Sequence, residues 1–287
     1  MRRSLPMVIA ALLLLSGCAA PAPAEPHQAA PSEPRATGEA VELINLWRVT
    51  EAAGSGPDAF LRLDGTGLMA WTDCGIATGS WRASGTAFIA DINGALGGGI
   101  CVGSPATGAI SETLDWLLAA SAFRIFDGRA ELLDPDGDVV AVLTVDGAPP
   151  ARPDHSNDFL LAPQVTPEDE ARFAPPVSLP AGATPAGSDD LVGRWEPSGL
   201  FAAERPYVDF DAAGTWAGSD GCNGGAGRWA LGDDGIFLAT SGASTLMACD
   251  GVGVPHWVGG ASRAAIVASR LVLFDAAGAE LGSLVRA

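Results

Sequence analysis

Two registers of self-similarity constrain this chain more than any other feature. Trp47, Cys74, Trp81 and Cys101 recur at Trp195, Cys222, Trp229 and Cys249, each 148 positions on. Farther along the offset is 141: Trp116 is answered by Trp257, Asp134 by Asp275, Gly137 by Gly278, Val140 by Leu281 and Leu143 by Leu284. Matches of this kind held in two constant registers mean a duplicated unit. A unit of about 100 residues is an ordinary size for one hydrophobic core. The expected layout is a first domain over 43–146, a linker over 147–187 and a second domain over 188–287.

Each unit reads mostly as strands. Ala59 to Leu63 alternates and runs into the turn Asp64-Gly65-Thr66-Gly67; Pro206 to Phe210 does the same before Asp211-Ala212-Ala213-Gly214. Leu271 to Phe274, a turn at Asp275 to Gly278 and Glu280 to Leu284 predict a closing hairpin, with Ala130 to Leu143 as its counterpart. One helix per unit is expected between the second cysteine and that hairpin. In the first unit it starts at Ser111 and sets Leu114, Leu117 and Leu118 on one side. In the second, Pro255 and Gly259-Gly260 predict a shorter or broken helix. The fold class expected is β-rich α+β: two tandem small antiparallel β-rolls or open barrels, each with about one helix. In the proline-rich linker, Thr166-Pro167-Glu168-Asp169 resembles a helix start, and Asp158 to Leu161 is apolar enough to dock on a domain.

The N-terminus sets the compartment. Arg2 and Arg3 precede an apolar run from Met7 to Leu15. That run is too short to span a bilayer, which takes about 20 residues, and has the length of a signal-peptide core. It ends in Leu15-Ser16-Gly17-Cys18, which resembles the lipobox of bacterial lipoproteins. The resemblance implies that residues 1–17 are removed and that Cys18 carries the lipid at the extracytoplasmic face of the cell membrane. Residues 18–42, rich in Ala and Pro, then form a disordered tether.

Charge removes one class of partner. The chain has 34 acidic residues and no lysine; residues 18–287 hold 14 arginines against those 34, a formal charge of −20. Such a body repels nucleic-acid backbones and anionic headgroups, so membrane contact is expected through the lipid alone.

Four cysteines remain, one pair per unit at the same spacing: Cys74 with Cys101, and Cys222 with Cys249. Outside the cytoplasm such pairs are oxidised, so two disulfides within the units are expected. A zinc site would need close-set ligands; there is no C-x-x-C, and His27, His155 and His256 fit no ligand pattern. No metal or cofactor is expected. The weak G-x-S-x-G likeness at Gly260 to Ala264 lacks a preceding strand, and the Asp134 to Asp138 run lacks the twelfth-position Glu of a calcium loop. It reads as a hairpin turn. Trp47, Trp81, Trp195 and Trp229 are expected in the cores; Trp71 and Trp216, ahead of the cysteines, are read first as core or sheet-face packing, with an exposed aromatic that binds a sugar or peptide as the alternative.

Gly218-Ser219-Asp220-Gly221-Cys222-Asn223-Gly224 resembles the G-x-x-G-C-N signature of the META/HslJ domain, and Ser244-Thr245-Leu246-Met247-Ala248-Cys249 resembles its T-x-M-A-C signature. The likeness covers about 190–287. The first unit departs from it, with Gly75 after Cys74 and Gly99-Ile100 before Cys101. The resemblance implies a curled sheet with one helix, an exported or lipid-anchored setting and a loose link to envelope stress or secretion. It supplies no catalytic residues. Gly221, Asn223, Gly224, Thr245 and Met247 are therefore read as structural, with Asn223 tolerant of a left-handed backbone and the glycines permitting a tight turn. The expected protein is a non-enzymatic, monomeric envelope lipoprotein that binds or supports an unidentified protein or small molecule. The alternative is a ligand binder with an apolar pocket inside one roll; a hydrolase ranks last.

Overall fold

The computed structural model describes residues 39–73, 75–96, 113–153, 155–199, 204–242, 244–245, 247–248 and 250–287. Cys18, Cys74, Cys101, Cys249, the leader and nearly all of the tether lie outside them.

Eight strands form the first sheet: β1 (Asn45–Ala52), β2 (Phe60–Leu63), β3 (Leu68–Thr72), β4 (Gly75–Ser84), β5 (Ala87–Leu96), β6 (Ala122–Phe126), β7 (Arg129–Leu133) and β8 (Val139–Thr144). Each pairs antiparallel with the next, and β1 pairs with β8, so the sheet is a closed barrel rather than an open one. The second sheet holds β9 (Thr184–Pro185), β10 (Gly193–Pro197), β11 (Tyr207–Phe210), β12 (Thr215–Ser219), β13 (Gly224–Leu231), β14 (Phe237–Ala239), β15 (Arg263–Val267), β16 (Arg270–Phe274) and β17 (Glu280–Arg286). Its order is β14-β13-β12-β11-β10-β17-β16-β15-β9. It curls until β14 reaches β15 through a bridge between Ile236 and Arg263 and a bond from Phe237 N to Ser262 O at 3.0 Å. In the first sheet β5 meets β6 the same way, with Phe88 N on Ser121 O at 2.8 Å.

The two sheets agree in detail. β7–β8 and β16–β17 share a register at the 141 offset, and each has an irregularity at the equivalent place, Leu132/Leu133 and Leu273/Phe274. A short helical turn precedes each first strand: a 3-10 turn at Ala40–Leu43 and α3 at Ser188–Leu191. Trp47 Nε1 donates to Leu43 O at 2.8 Å, and Trp195 Nε1 donates to Leu191 O at 2.8 Å. The second tryptophan of each sheet bonds the β2–β3 turn or its counterpart: Trp81 to Asp64 O at 2.8 Å, and Trp229 to Asp211 O at 3.1 Å and Thr215 O at 3.0 Å. All four indoles are buried, so their polar edge needs these acceptors.

Turn chemistry follows the sequence. Asp64 Oδ1 accepts from Thr66 N and Gly67 N, and Asp134 Oδ1 accepts from Asp136 N and Asp138 N. The Asp134 segment is thus the turn of the β7–β8 hairpin.

The helices depart from expectation. The expected start at Ser111 lies outside the described residues; among them α1 (Asp115–Ala119) has five residues, with Leu114 at its N-cap. α4 (Val254–Gly260) is the longer, with seven. Proline in the first turn gives up an N–H that has no helical acceptor, and the two glycines fall in the last turn, where little helix remains to weaken.

The linker packs against both sheets. Its 3-10 turn, Asn157–Leu160, carries Phe159 onto an outer cluster of Leu46, Phe60, Met69, Trp71 and Ile76. α2 (Pro167–Phe173) starts at a capping box in which Thr166 and Asp169 bond each other's backbone. It places Phe173 in the first core, stacked on Trp81 with ring centres 4.7 Å apart. β9 then joins the edge of β15.

Replacing Trp195 by Ala removes a large core side chain and leaves Leu191 O without its donor. We expect a loss of about 3–5 kcal/mol, read by urea denaturation. Trp195→Phe should cost less, because most of the ring contact survives.

Candidate functional site

The resemblance motif folds into a knot centred on Asp220. Its Oδ1 accepts from Cys222 N at 2.7 Å and Asn223 N at 2.5 Å, and its Oδ2 accepts from Asn223 Nδ2 at 3.2 Å. The Asn223 amide spans to the second motif segment: Oδ1 accepts from Met247 N at 2.6 Å, and Nδ2 donates to Met247 O at 3.0 Å. Thr245 Oγ1 accepts from Gly224 N at 3.3 Å, and Ser244 Oγ donates to Gly224 O at 2.8 Å. An asparagine side chain carries one donor group and one acceptor, so it substitutes for a strand neighbour here. Cys222, in the same loop, is disulfide-bonded.

The structure therefore gathers Gly221, Asn223, Gly224, Thr245 and Met247 into one place. The backbone reading needs correction. Gly221 has φ +100°, but Asn223, Gly224 and Gly225 do not enter the left-handed region. Gly225 is small for a steric reason instead, since a Cβ there would sit 2.9 Å from Pro255 Cβ. Asn223 is used for its amide, not its backbone.

Trp71 and Trp216 are not exposed aromatics: they are 5% and 3% accessible. Trp71 is in the outer cluster beneath Phe159. Trp216 lies in the second core and donates Nε1 to Thr240 O at 2.9 Å. Gly227 makes this possible, because a Cβ there would lie 2.2 Å from Thr240 O and 2.9 Å from Trp216 Nε1. The two residues do not occupy equivalent positions and do not form one site.

Sequence reading missed the seam where the two sheets meet. Arg228, on β13, donates from Nη1 to Ala90 O at 2.7 Å and Leu118 O at 2.8 Å in the first barrel. Ser241 N donates to Ser80 Oγ at 3.2 Å, and Asn93 Nδ2 to Ser241 O at 3.5 Å. Beside these links runs a groove of about 700 Å³, between β5 on one side and β11–β13 on the other. Asp91, Asp209, Asp211, Asn93, Thr215 and Arg228 give it polar walls, and Trp216 contributes to its floor. Burial pushes the Asp91 carboxyl above its ordinary range, an effect partly offset by the Arg228 charge. Burial likewise lowers Arg228, against the pull of Asp91. Three carboxylates and one guanidinium, the latter already held by two carbonyls, suit a ligand that brings positive charge and hydrogen-bond donors. No sequence signal marks Asp91 and Arg228 as neighbours.

A second hollow, of about 500 Å³, is lined by Glu51, Ala52, Trp116 and Val140, of which Trp116 belongs to the first core and Ala52 and Val140 pack on it. Each sheet carries its own apolar core of buried side chains. Among the described residues no group of three or more His, Cys, Asp or Glu is placed to hold a metal ion.

A family model described as META domain matches residues 190–281. No curated protein and no solved structure matches the chain.

Burial raises the Asp220 carboxyl, but the N–H groups of Asn223 and Cys222 outweigh it and hold the group below the usual carboxylate range. Its folded pKa lies below its unfolded one, near 3.9. The stabilisation it gives is present above about pH 4 and is lost as pH falls through the folded value. Acid denaturation curves should show this loss, and Asp220→Asn should flatten it. Asn223→Ala should cost about 1–2 kcal/mol and speed amide exchange at Met247.

Proposed function

We propose that this chain is a lipid-anchored protein of the extracytoplasmic face of a bacterial cell membrane, with a binding or structural role and no chemistry of its own. The groove between the sheets carries the binding part of this reading. At about 700 Å³ it draws walls from both sheets, and its net negative charge defines the partner as one presenting positive groups.

The anchor rests on the lipobox-like Leu15 to Cys18. We read the first barrel as a second, divergent META-type domain. The 148 and 141 offsets support this, as do the matching tryptophan bonds and the matching irregularity before the last strand. The disulfide map proposed is Cys74–Cys101 and Cys222–Cys249, and the bonded state of Cys222 agrees with the second pair. A link to envelope stress or secretion rests on the resemblance alone.

Two experiments test this. Metabolic labelling with palmitate should mark the wild-type chain in the membrane fraction, and Cys18→Ser should lose both label and membrane retention; an unlabelled wild type sinks the anchor. A photo-crosslinking residue at Ala217, on the groove wall, should capture a discrete partner in cells. Asp209→Asn with Asp211→Asn should abolish that adduct. Native mass spectrometry of the purified protein separates the second reading, a small-ligand binder, which would carry a bound mass without any protein adduct.

A further inference from the structure

Val208, Phe210, Trp216 and Trp229 fill the second core, so strand alternation turns Asp209, Asp211, Thr215, Ala217, Ala226 and Arg228 to the opposite face, where they line the groove. Register sorts them into two rows. Asp209, Ala217 and Ala226 are cross-strand neighbours in the first. In the second, Thr215 pairs with Arg228, and Asp211 N donates to Thr215 O at 2.8 Å. The first row runs from a carboxylate to two methyl groups. Gly242, whose N donates to Ala226 O at 2.7 Å, continues it with no side chain at all. From Asp209 to Ala226 is two inter-strand spacings, about 10 Å. The sheet therefore offers a low floor with carboxylates along one side.

The charges on that side are uncancelled. Among the described residues Asp209 makes no side-chain hydrogen bond and no ion pair. Arg194 is its register partner on β10, but the Arg194 guanidinium bonds Glu196 Oε1 at 3.2 Å and lies over the Tyr207 ring at 3.6 Å. Asp211 Oδ1 accepts from Ala213 N at 2.7 Å, within its own turn, which leaves Oδ2. The far wall is balanced by contrast. Arg228 is held by Ala90 O and Leu118 O and feels the charge of Asp91, the residue after Ala90. The excess negative charge of the groove therefore belongs to Asp209 and Asp211. They stand two positions apart, which is about 6.7 Å along an extended backbone.

We propose that the groove receives an extended peptide segment with lysine or arginine at alternate positions, lying along β11. This rests on the binding role assigned to the groove above and names the chemistry of its partner. An extended chain repeats its side chains at the pitch of the strand beneath it, so every second residue meets a carboxylate. A helix, whose neighbours on one face stand about 5–6 Å apart, lacks that pitch. The floor of Ala217, Ala226 and Gly242 lets the peptide backbone lie flat, and the open groove keeps its polar groups in water. Exposed ion pairs are individually weak, so the spacing of the charges sets the preference and no single pair does.

The test is fluorescence anisotropy of the mature protein with a labelled serine peptide carrying lysines at alternate positions, against its isomer with the same lysines side by side. In the isomer, neighbouring lysines point to opposite faces. The alternating peptide should bind about fivefold tighter at low salt, and the gap should close as sodium chloride rises. Asp209→Asn with Asp211→Asn should remove the preference. Asp136→Asn with Asp138→Asn takes the same charge, at the same spacing, from an exposed turn and should leave the preference intact. Ala226→Phe, on the outward face, should block both peptides. Equal affinity for the two peptides, or a preference that survives loss of Asp209 and Asp211, overturns the proposal. So does spermidine that displaces the label as well as unlabelled alternating peptide does at the same concentration of charge. Equal peptide affinities with a protein adduct still captured at Ala217 leave the groove a binding site for another partner; loss of the adduct as well removes the binding role.

Discussion

An indole hydrogen bond to the carbonyl four residues earlier sets the start of each sheet. Trp47 and Trp195 are too large to leave any core volume unfilled and too polar at one edge to be buried without an acceptor. Their bonds to Leu43 and Leu191 answer both needs, since they pull a helical turn against the end of the sheet and fix the direction in which the first strand leaves it. The second tryptophan of each sheet then ties a distant strand to the first hairpin. With two such pins, the remaining strands have one register that buries their apolar faces, and the closing hairpins carry the same irregularity in both sheets.

The seam obeys different physics from the cores it separates. The cores are apolar and filled; the seam is crossed by arginines that reach from one sheet to backbone carbonyls of the other. Carbonyls are good partners for a guanidinium because they accept without adding charge. They leave its own charge uncancelled, however, and that is why Arg82 and Arg228 differ. Arg228 has Asp91 near it; Arg82 has another arginine. The contrast gives the seam two parts of unlike character, an acidic groove and a buried guanidinium.

Much of the fold was legible in the chain. Recurring tryptophans marked two strand-rich regions, each of which forms an antiparallel sheet, and Asp-Gly turns marked the hairpins. Thr166 with Asp169 gave the linker helix. What was missed or left open has local causes. Trp216 points inward because Gly227 leaves space across the strand pair, a relation between two strands that spacing alone does not encode. α4 outruns α1 because proline falls where a helix has no hydrogen bond to lose. Asn223 looked like a turn residue, but its amide bridges 24 positions. The groove and the burial of Arg82 were invisible for the same reason. Each arises where the two bodies meet, and nothing in the neighbourhood of Asp91, Arg228 or Arg82 along the chain sets them apart.

The path of the linker has a mechanical consequence. Phe173 is lodged in the first core, and Thr184-Pro185 extends the second sheet. The chain is already held to the second body at Pro176, by Arg263 Nη2 on Pro176 O at 3.2 Å, and at Val177, whose N bonds Ala276 O at 3.0 Å, so the connection acts as a short strap and not as a swivel. The gap between the sheets accordingly keeps a set width, like a fixed-jaw gauge. A guest would be admitted or refused by its own dimensions and charge, because the jaws have little freedom to adjust to it.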